Sequence, residues 1–298
     1  MPKKEYILVL GSGKSILDFS LEDKQILDEC FIKLAINKFS AFYEKAGIKP
    51  THIYFEDVHD ESSILMLKHI FKLFRRKKNK TTFIISELYK DQLYKEYFVY
   101  IFIKTIHHFK VFFNLILVKL ARNTLKLISV NMFNKYVFHL AKFLKTKPFL
   151  LYNLVPKKSI IQFIKVKHCE IKEDFWASSL KDPLYHFKGS FSSVLNYISI
   201  CFPNKIILLA GVDFDSPDYF FEEELNKLNF NTRDWTYNLR KKHNKHFSII
   251  ETDGVKIDDA LPFMLKKLKE TNNKIYSLNK KSYLVKKGFV EKINVEDI

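Results

Sequence analysis

Acidic residues are missing from a quarter of this chain: no Asp or Glu occurs between Glu96 and Glu170, while Lys and Arg recur throughout. Glycine is scarce, at 7 of 298 residues, and so is tryptophan, at 2. The three cysteines, Cys30, Cys169 and Cys201, form no motif. An odd, scattered set argues against a disulfide framework or a zinc site, and suits a reducing compartment. No stretch approaches the roughly 20 uncharged apolar residues needed to span a bilayer. The apolar run Tyr6–Leu10 is too short for a signal-peptide core. Together these absences point to a cytoplasmic protein, peripheral at most on the inner face of a membrane.

What is present is apolar and basic. Hydrophobic residues make up 47% of the chain, enough for a real core. Lys and Arg number 50 against 33 Asp and Glu, for a formal net charge of +17. Such an excess implies a polyanionic partner, either an anionic lipid surface or a nucleic acid.

Short apolar runs alternate with helical patterns. Tyr6–Leu10, Phe31–Ile36, Thr51–Phe55, Thr81–Ile85, Lys205–Phe214 and Lys274–Leu278 read as strands. Ile64–Phe74, Ser190–Cys201 and Asp258–Glu270 read as helices. This alternation predicts an α/β protein of Rossmann-like type, with a mostly parallel sheet and helices on both faces. The α/β domain is assigned to 1–96 and 170–298. Between them, 97–169 mixes aromatic, aliphatic and basic residues at helical spacing. It reads as a helical insertion whose basic face suits an anionic membrane. Residues 231–249 read as a polar, mobile segment able to act as a lid.

In a parallel sheet ligands bind beyond the carboxyl ends of the strands. That rule selects Gly11-Ser12-Gly13, Asn37, Glu56-Asp57 and Asp213-Phe214-Asp215. The first resembles two phosphate-binding patterns and fits neither. The Gly-x-x-x-x-Gly-Lys-Ser loop would place its first glycine at Leu8, and the dinucleotide fingerprint would place its third at Ile16. A small-residue turn remains, suited to close approach of a ligand. Asp213-Phe214-Asp215 matches the Asp-x-Asp pattern that holds magnesium or manganese in sugar-nucleotide transferases, and equally suits a purely structural role. His186, His243 and His246 are candidates for a general base.

These blocks, in this order, resemble the small bacterial lipooligosaccharide sialyltransferases. Ile7–Leu17 resembles that family's opening strand and turn. Ala35-Ile36-Asn37-Lys38-Phe39 is similar to its Cys-Asn-Gln-Phe segment, whose asparagine contacts the donor. Ser190–Asp215 is similar to a glycine-led helix followed by a strand ending in Ser-Gly-Ile-Asp-Phe. Asp258–Leu261 with Ile275–Leu278 is similar to the closing helix and strand. The resemblance covers about half the chain. It implies a Rossmann-like GT-A-variant fold and an inverting transfer that needs no metal. The donor it implies is a CMP-activated acidic sugar, sialic acid, Kdo or a related nonulosonate. The acceptor is the saccharide of a bacterial surface glycolipid or a free oligosaccharide, and no nucleic acid takes part.

On that reading Gly11, Ser12, Gly13, Asn37, Lys188, Ser190, Ser192, Ser193, Gly211 and Phe214 bind donor. The base is His246 or one of Glu56, Asp213 and Asp215. Two other readings stay open. One is a UDP- or GDP-sugar transferase with Mg or Mn on Asp213 and Asp215. The other is a basic protein without catalysis, binding nucleic acid or membrane through 97–169.

Overall fold

The computed structural model describes residues 3–57, 61–76, 80–90, 155–169, 175–228 and 237–298. Residues 1–87 and 156–298 form one compact unit, and 88–155 form a second that lies almost wholly outside the described residues.

The first unit is built on an eight-stranded, all-parallel sheet. Its strands are β1 (Lys3–Leu10), β2 (Cys30–Ile36), β3 (His52–Phe55), β4 (Thr82–Ser86), β5 (Ile160–Ile164), β8 (Ile206–Ala210), β9 (Lys274–Ser277) and β10 (Glu291–Lys292). They lie in the order β5-β4-β3-β2-β1-β8-β9-β10. A separate parallel pair joins β6 (Val166–His168) to β7 (Leu184–His186). The order reverses between β1 and β8, and this doubly wound, Rossmann-like arrangement matches the expectation from alternating strand and helix patterns.

β1 is central, and its apolar run explains why. Ile7, Leu8, Val9 and Leu10 are all fully buried, as expected of a parallel strand covered on both faces. Ile7 and Val9 join the core beneath the helix Ser190–Cys201, with Ile32 and Leu34 of β2. Leu8 and Leu10 point to the opposite face by the period-2 rule. Burying each such side chain contributes about 1.5–3 kcal/mol.

Eight α-helices occur among the described residues: α1 (Leu21–Asp28), α2 (Tyr43–Ala46), α3 (Glu61–Arg76), α4 (Ser190–Cys201), α5 (Glu222–Lys227), α6 (Tyr237–His243), α7 (Leu261–Glu270) and α8 (Tyr283–Lys286). Ser20 caps α1 in a box with Asp23, its hydroxyl accepting the Asp23 N–H at 3.0 Å. α3 buries Leu67, Ile70, Phe71 and Phe74, an i, i+3, i+4, i+7 stripe. α4 is almost entirely buried and packs on β7, β2 and α7. Asn196, inside α4, ties down its surroundings. Its carbonyl accepts from the N–H of Ala177 at 3.2 Å and of Tyr185 at 2.9 Å, and its amide donates to the Ala177 carbonyl at 2.8 Å.

Strands β5 and β6 fall inside 97–169, the stretch read as a helical insertion. Ile160–Ile164 pairs in register with Thr82–Ser86, so the sheet unit resumes before residue 170. The part of the expected insertion from 97 to 154 lies outside the described residues, as does 231–236 of the expected lid. The described part of that lid holds α6 and a short 3-10 turn at Phe247–Ile249. Among the described residues no helix is long and apolar enough to cross a membrane.

Candidate functional site

The turns that follow β1 and β8 meet at the switch point and close on each other. The Gly11 N–H donates to the Ala210 carbonyl at 2.8 Å, and the Gly13 N–H donates to the Gly211 carbonyl at 2.7 Å. The Phe220 N–H donates to the Ser12 carbonyl at 3.0 Å. The scarce glycines are needed for this contact. A Cβ on Gly13 would run into the Asp213 carboxylate, and one on Gly11 would run into the Gly211 carbonyl. Gly211 itself sits at φ +66°, in the left-handed region. The 211–220 loop therefore lies directly against the backbone of Gly11-Ser12-Gly13.

Asp213 is the clamp of this junction. One carboxylate oxygen accepts the Ser15 hydroxyl at 2.5 Å and the Asn279 amide at 3.0 Å; the other accepts the Ser15 N–H at 3.0 Å. Asp215 pairs with Lys286 at 2.6 Å. The two carboxylates of the Asp-x-Asp pattern thus serve different partners. Beyond them, a cavity of about 290 Å³ is lined by Ser15, Asp18, Asn279, Lys281 and Glu296, among others.

A second cluster forms one strand over, where α4 begins above the ends of β2 and β3. Asn37, directly after β2, is held at φ +46°. Its side-chain carbonyl accepts the Glu56 N–H at 2.9 Å, and its amide donates to the Ser190 hydroxyl at 3.0 Å. The Ser190 hydroxyl is in turn 2.9 Å from the Glu56 carbonyl and 3.0 Å from the Glu56 carboxylate. The Glu56 carboxylate lies 2.9 Å from Nδ1 of His186, at the end of β7. His168 is the register partner of His186 across β6 and β7, and the two rings stand 4.4 Å apart.

Electrostatics at this cluster are unusual for so basic a chain. Glu56 and His186 are buried, at 8% and 9% exposure. Among the described residues no Lys or Arg pairs with Glu56, whereas its neighbour Asp57 is 3.2 Å from Lys38. Burial and the Glu56 charge push the Tyr54 phenol well above its ordinary range, so it stays neutral behind the cluster. Partial desolvation of the otherwise exposed ring, and then the adjoining His186 ring, hold His168 below the ordinary imidazole value, with Glu56 pulling the other way.

The other flank of the α4 start is formed by Phe214, His246 and Lys188. Phe214, at φ +58°, packs its ring on Phe191 at 5.4 Å and on His246 at 5.3 Å. Nδ1 of His246 accepts the Ser248 N–H at 3.2 Å, and the Ser248 hydroxyl donates to the Lys188 carbonyl at 2.8 Å. Lys188, at φ +53°, reaches the Thr252 carbonyl at 3.1 Å. Burial lowers its pKa, against the pull of Asp253 and Asp259. Ser192 and Ser193 are fully buried. Ser192 accepts the Phe187 N–H at 2.7 Å, and Ser193 donates to the Ser190 carbonyl at 3.1 Å.

No protein-family model, curated protein or solved structure matches this chain.

Of the residues selected from the sequence, Asn37, Glu56 and Ser190 come together at one point, with Lys188, Phe214 and His246 on its flank. Gly11, Ser12, Gly13, Gly211, Asp213 and Asp215 instead gather at the loop junction. His168 was not selected at all. It lies in a three-residue strand that carries no periodic signal, and only the pairing with β7 brings it to His186.

His186 and His246 differ in what they offer. The His186 Nδ1 faces a carboxylate, which favours a proton there and leaves Nε2 as the acceptor, the tautomer a base needs. The His246 Nδ1 accepts from a backbone N–H, so its neutral ring carries the proton on Nε2 and acts as a donor.

Proposed function

We propose that this chain is a glycosyltransferase moving an acidic sugar from a CMP-activated donor to the saccharide of a bacterial surface glycolipid. The observation that carries the reading is Asn37. It stands beyond the carboxyl end of β2, in the left-handed region, joined to both Glu56 and Ser190. Its counterpart in the resembling sialyltransferases contacts the donor.

The start of α4 supplies what a phosphate or sugar carboxylate needs. A helix N-terminus presents backbone N–H groups and the positive end of the dipole. Ser190 and Lys188 lie beside it. In this mechanism His186, oriented by Glu56, takes the proton from the acceptor hydroxyl. The oxygen attacks the anomeric carbon as its bond to the CMP phosphate breaks. His246 and the α4 dipole stabilise the negative charge that develops on the phosphate. Glu56 is a positioning residue here, and His246 is assigned to the leaving group in place of the base role. The basic stretch within 97–154 would hold the enzyme near a lipid-linked acceptor at the inner membrane face.

The engagement of Asp213 by Ser15 and Asn279, and of Asp215 by Lys286, weighs against a UDP- or GDP-sugar enzyme with Mg or Mn on those carboxylates. Calorimetry with CMP, UDP and GDP, with and without manganese, tests the donor class. Metal-independent binding of CMP in preference to the others is expected. Tight UDP binding that requires manganese would sink the reading.

A further inference from the structure

Glu56, His168 and His186 have a second capability that proton transfer does not use. Each offers one ligand atom, and these atoms all lie within 4.8 Å of one another. In a tetrahedral zinc shell with bonds of about 2.1 Å, neighbouring ligand atoms stand about 3.4 Å apart. The Glu56–His186 pair, at 2.9 Å, is already near that spacing. His168 is exposed, so a modest turn of its ring brings it into range.

The scaffold is built to hold such a set. His168 and His186 are register partners on two parallel strands, a rigid base for paired imidazoles. The carboxylate is fixed from behind by Ser190, and the Glu56 backbone by Asn37. Outer contacts of this kind orient ligands in metal sites. The charge balance points the same way. A buried carboxylate without a positive partner is costly. In a chain of net charge +17, Glu56 has two imidazoles beside it where Lys or Arg would serve to neutralise it. Two imidazoles and one carboxylate suit zinc and similar divalent transition ions, and do not suit magnesium or calcium.

We infer that Glu56, His168 and His186 form a site for a divalent transition-metal ion of the zinc class, with a fourth position open to water or an anionic oxygen. The site does not depend on the donor assigned above, although it shares two residues with the base. The two uses alternate: the metal-free chain keeps the Nδ1–H···Glu56 arrangement that leaves Nε2 as the acceptor, and a metal on Nδ1 of His186 removes it.

The test is zinc binding to the intact chain, measured by competition with a chromophoric chelator. One equivalent should bind to the parent protein. His168→Ala should weaken it by at least about tenfold. His168 is exposed and no hydrogen bond of its side chain contributes to the fold described here, so this variant should retain the parent circular dichroism. His243→Ala, on the exposed end of α6, should bind zinc like the parent. No stoichiometric binding to the parent overturns the inference. So does unchanged affinity in His168→Ala, or equal losses in both variants. Because metal is read directly, a failure here leaves the CMP-sugar reading standing, and failed CMP binding leaves the metal site standing.

Discussion

The carboxylate of Glu56 meets the imidazole of His186 at 2.9 Å, with the hydroxyl of Ser190 at 3.0 Å on the same oxygen. Three separate parts of the chain, the ends of β3 and β7 and the first residue of α4, converge on that atom. His186→Asn keeps a polar side chain of similar reach and removes the base. Turnover of a CMP-activated acidic sugar should fall by about 10²–10⁴-fold, the usual range for a lost general base, while CMP affinity stays within a few-fold. Glu56→Gln should lower kcat less and leave KM for donor nearly unchanged. Loss of CMP affinity in His186→Asn with kcat intact would reassign the residue to binding.

Asp213 and Gly13 are predicted to matter for stability. Asp213→Ala takes the acceptor from the Ser15 hydroxyl and the Asn279 amide, both half-buried, at a cost of about 0.5–1.5 kcal/mol for each hydrogen bond lost. Gly13→Ala forces a Cβ into that carboxylate, and overpacking of this kind costs about 1–3 kcal/mol. Urea denaturation should show both losses, and the protein that remains folded should keep its CMP affinity. If Asp213→Ala were as stable as the parent but bound no nucleotide, the Asp-x-Asp pattern would be a ligand site after all.

His52 gives the fold an acid sensitivity far from the cluster. Its ring lies against Phe202 and contacts the Thr51 hydroxyl at 3.0 Å, and burial pushes its pKa down to about 4. The unfolded value is about 6.5, so the native state binds fewer protons between these limits. Its contribution is complete above about pH 6.5 and is lost as pH falls toward 4, amounting to about 3 kcal/mol in all. His52→Gln should flatten that part of the stability profile. Urea midpoints for both proteins at pH 7 and pH 4.5 check this, and parallel slopes would contradict it.

Much of the sheet was legible because its strands are uninterrupted apolar runs. Tyr6–Leu10 and Ile206–Ala210 could hardly be anything but buried strands. β5 was hidden by its neighbours, since Ile-Ile-Gln-Phe-Ile continues an aromatic, basic stretch without a break in character. β6 and β7 are three residues each, too short for any period to register. The site was legible only in part. Asn37 and Glu56 stand where ligand-binding residues of parallel sheets belong. The use of Asp213 was not, because a metal-binding carboxylate and a loop clamp look alike until Ser15 and Asn279 are brought to it. The glycines at 11, 13 and 211 read as room for a ligand, and the structure puts them where two loops close on each other. That loop contact was not legible, because it depends on the β1–β8 pairing.

The central claim is that the donor sits over the start of α4, between Asn37–Glu56–His186 and Phe214–His246. Hydrogen-exchange mass spectrometry with and without CMP tests it most directly. Protection should appear in peptides covering 37–57 and 186–193, and should be lost in Asn37→Ala. Protection confined to 11–18 and 278–296, around the cavity lined by Ser15 and Asn279, would contradict the account, as would no protection at saturating CMP.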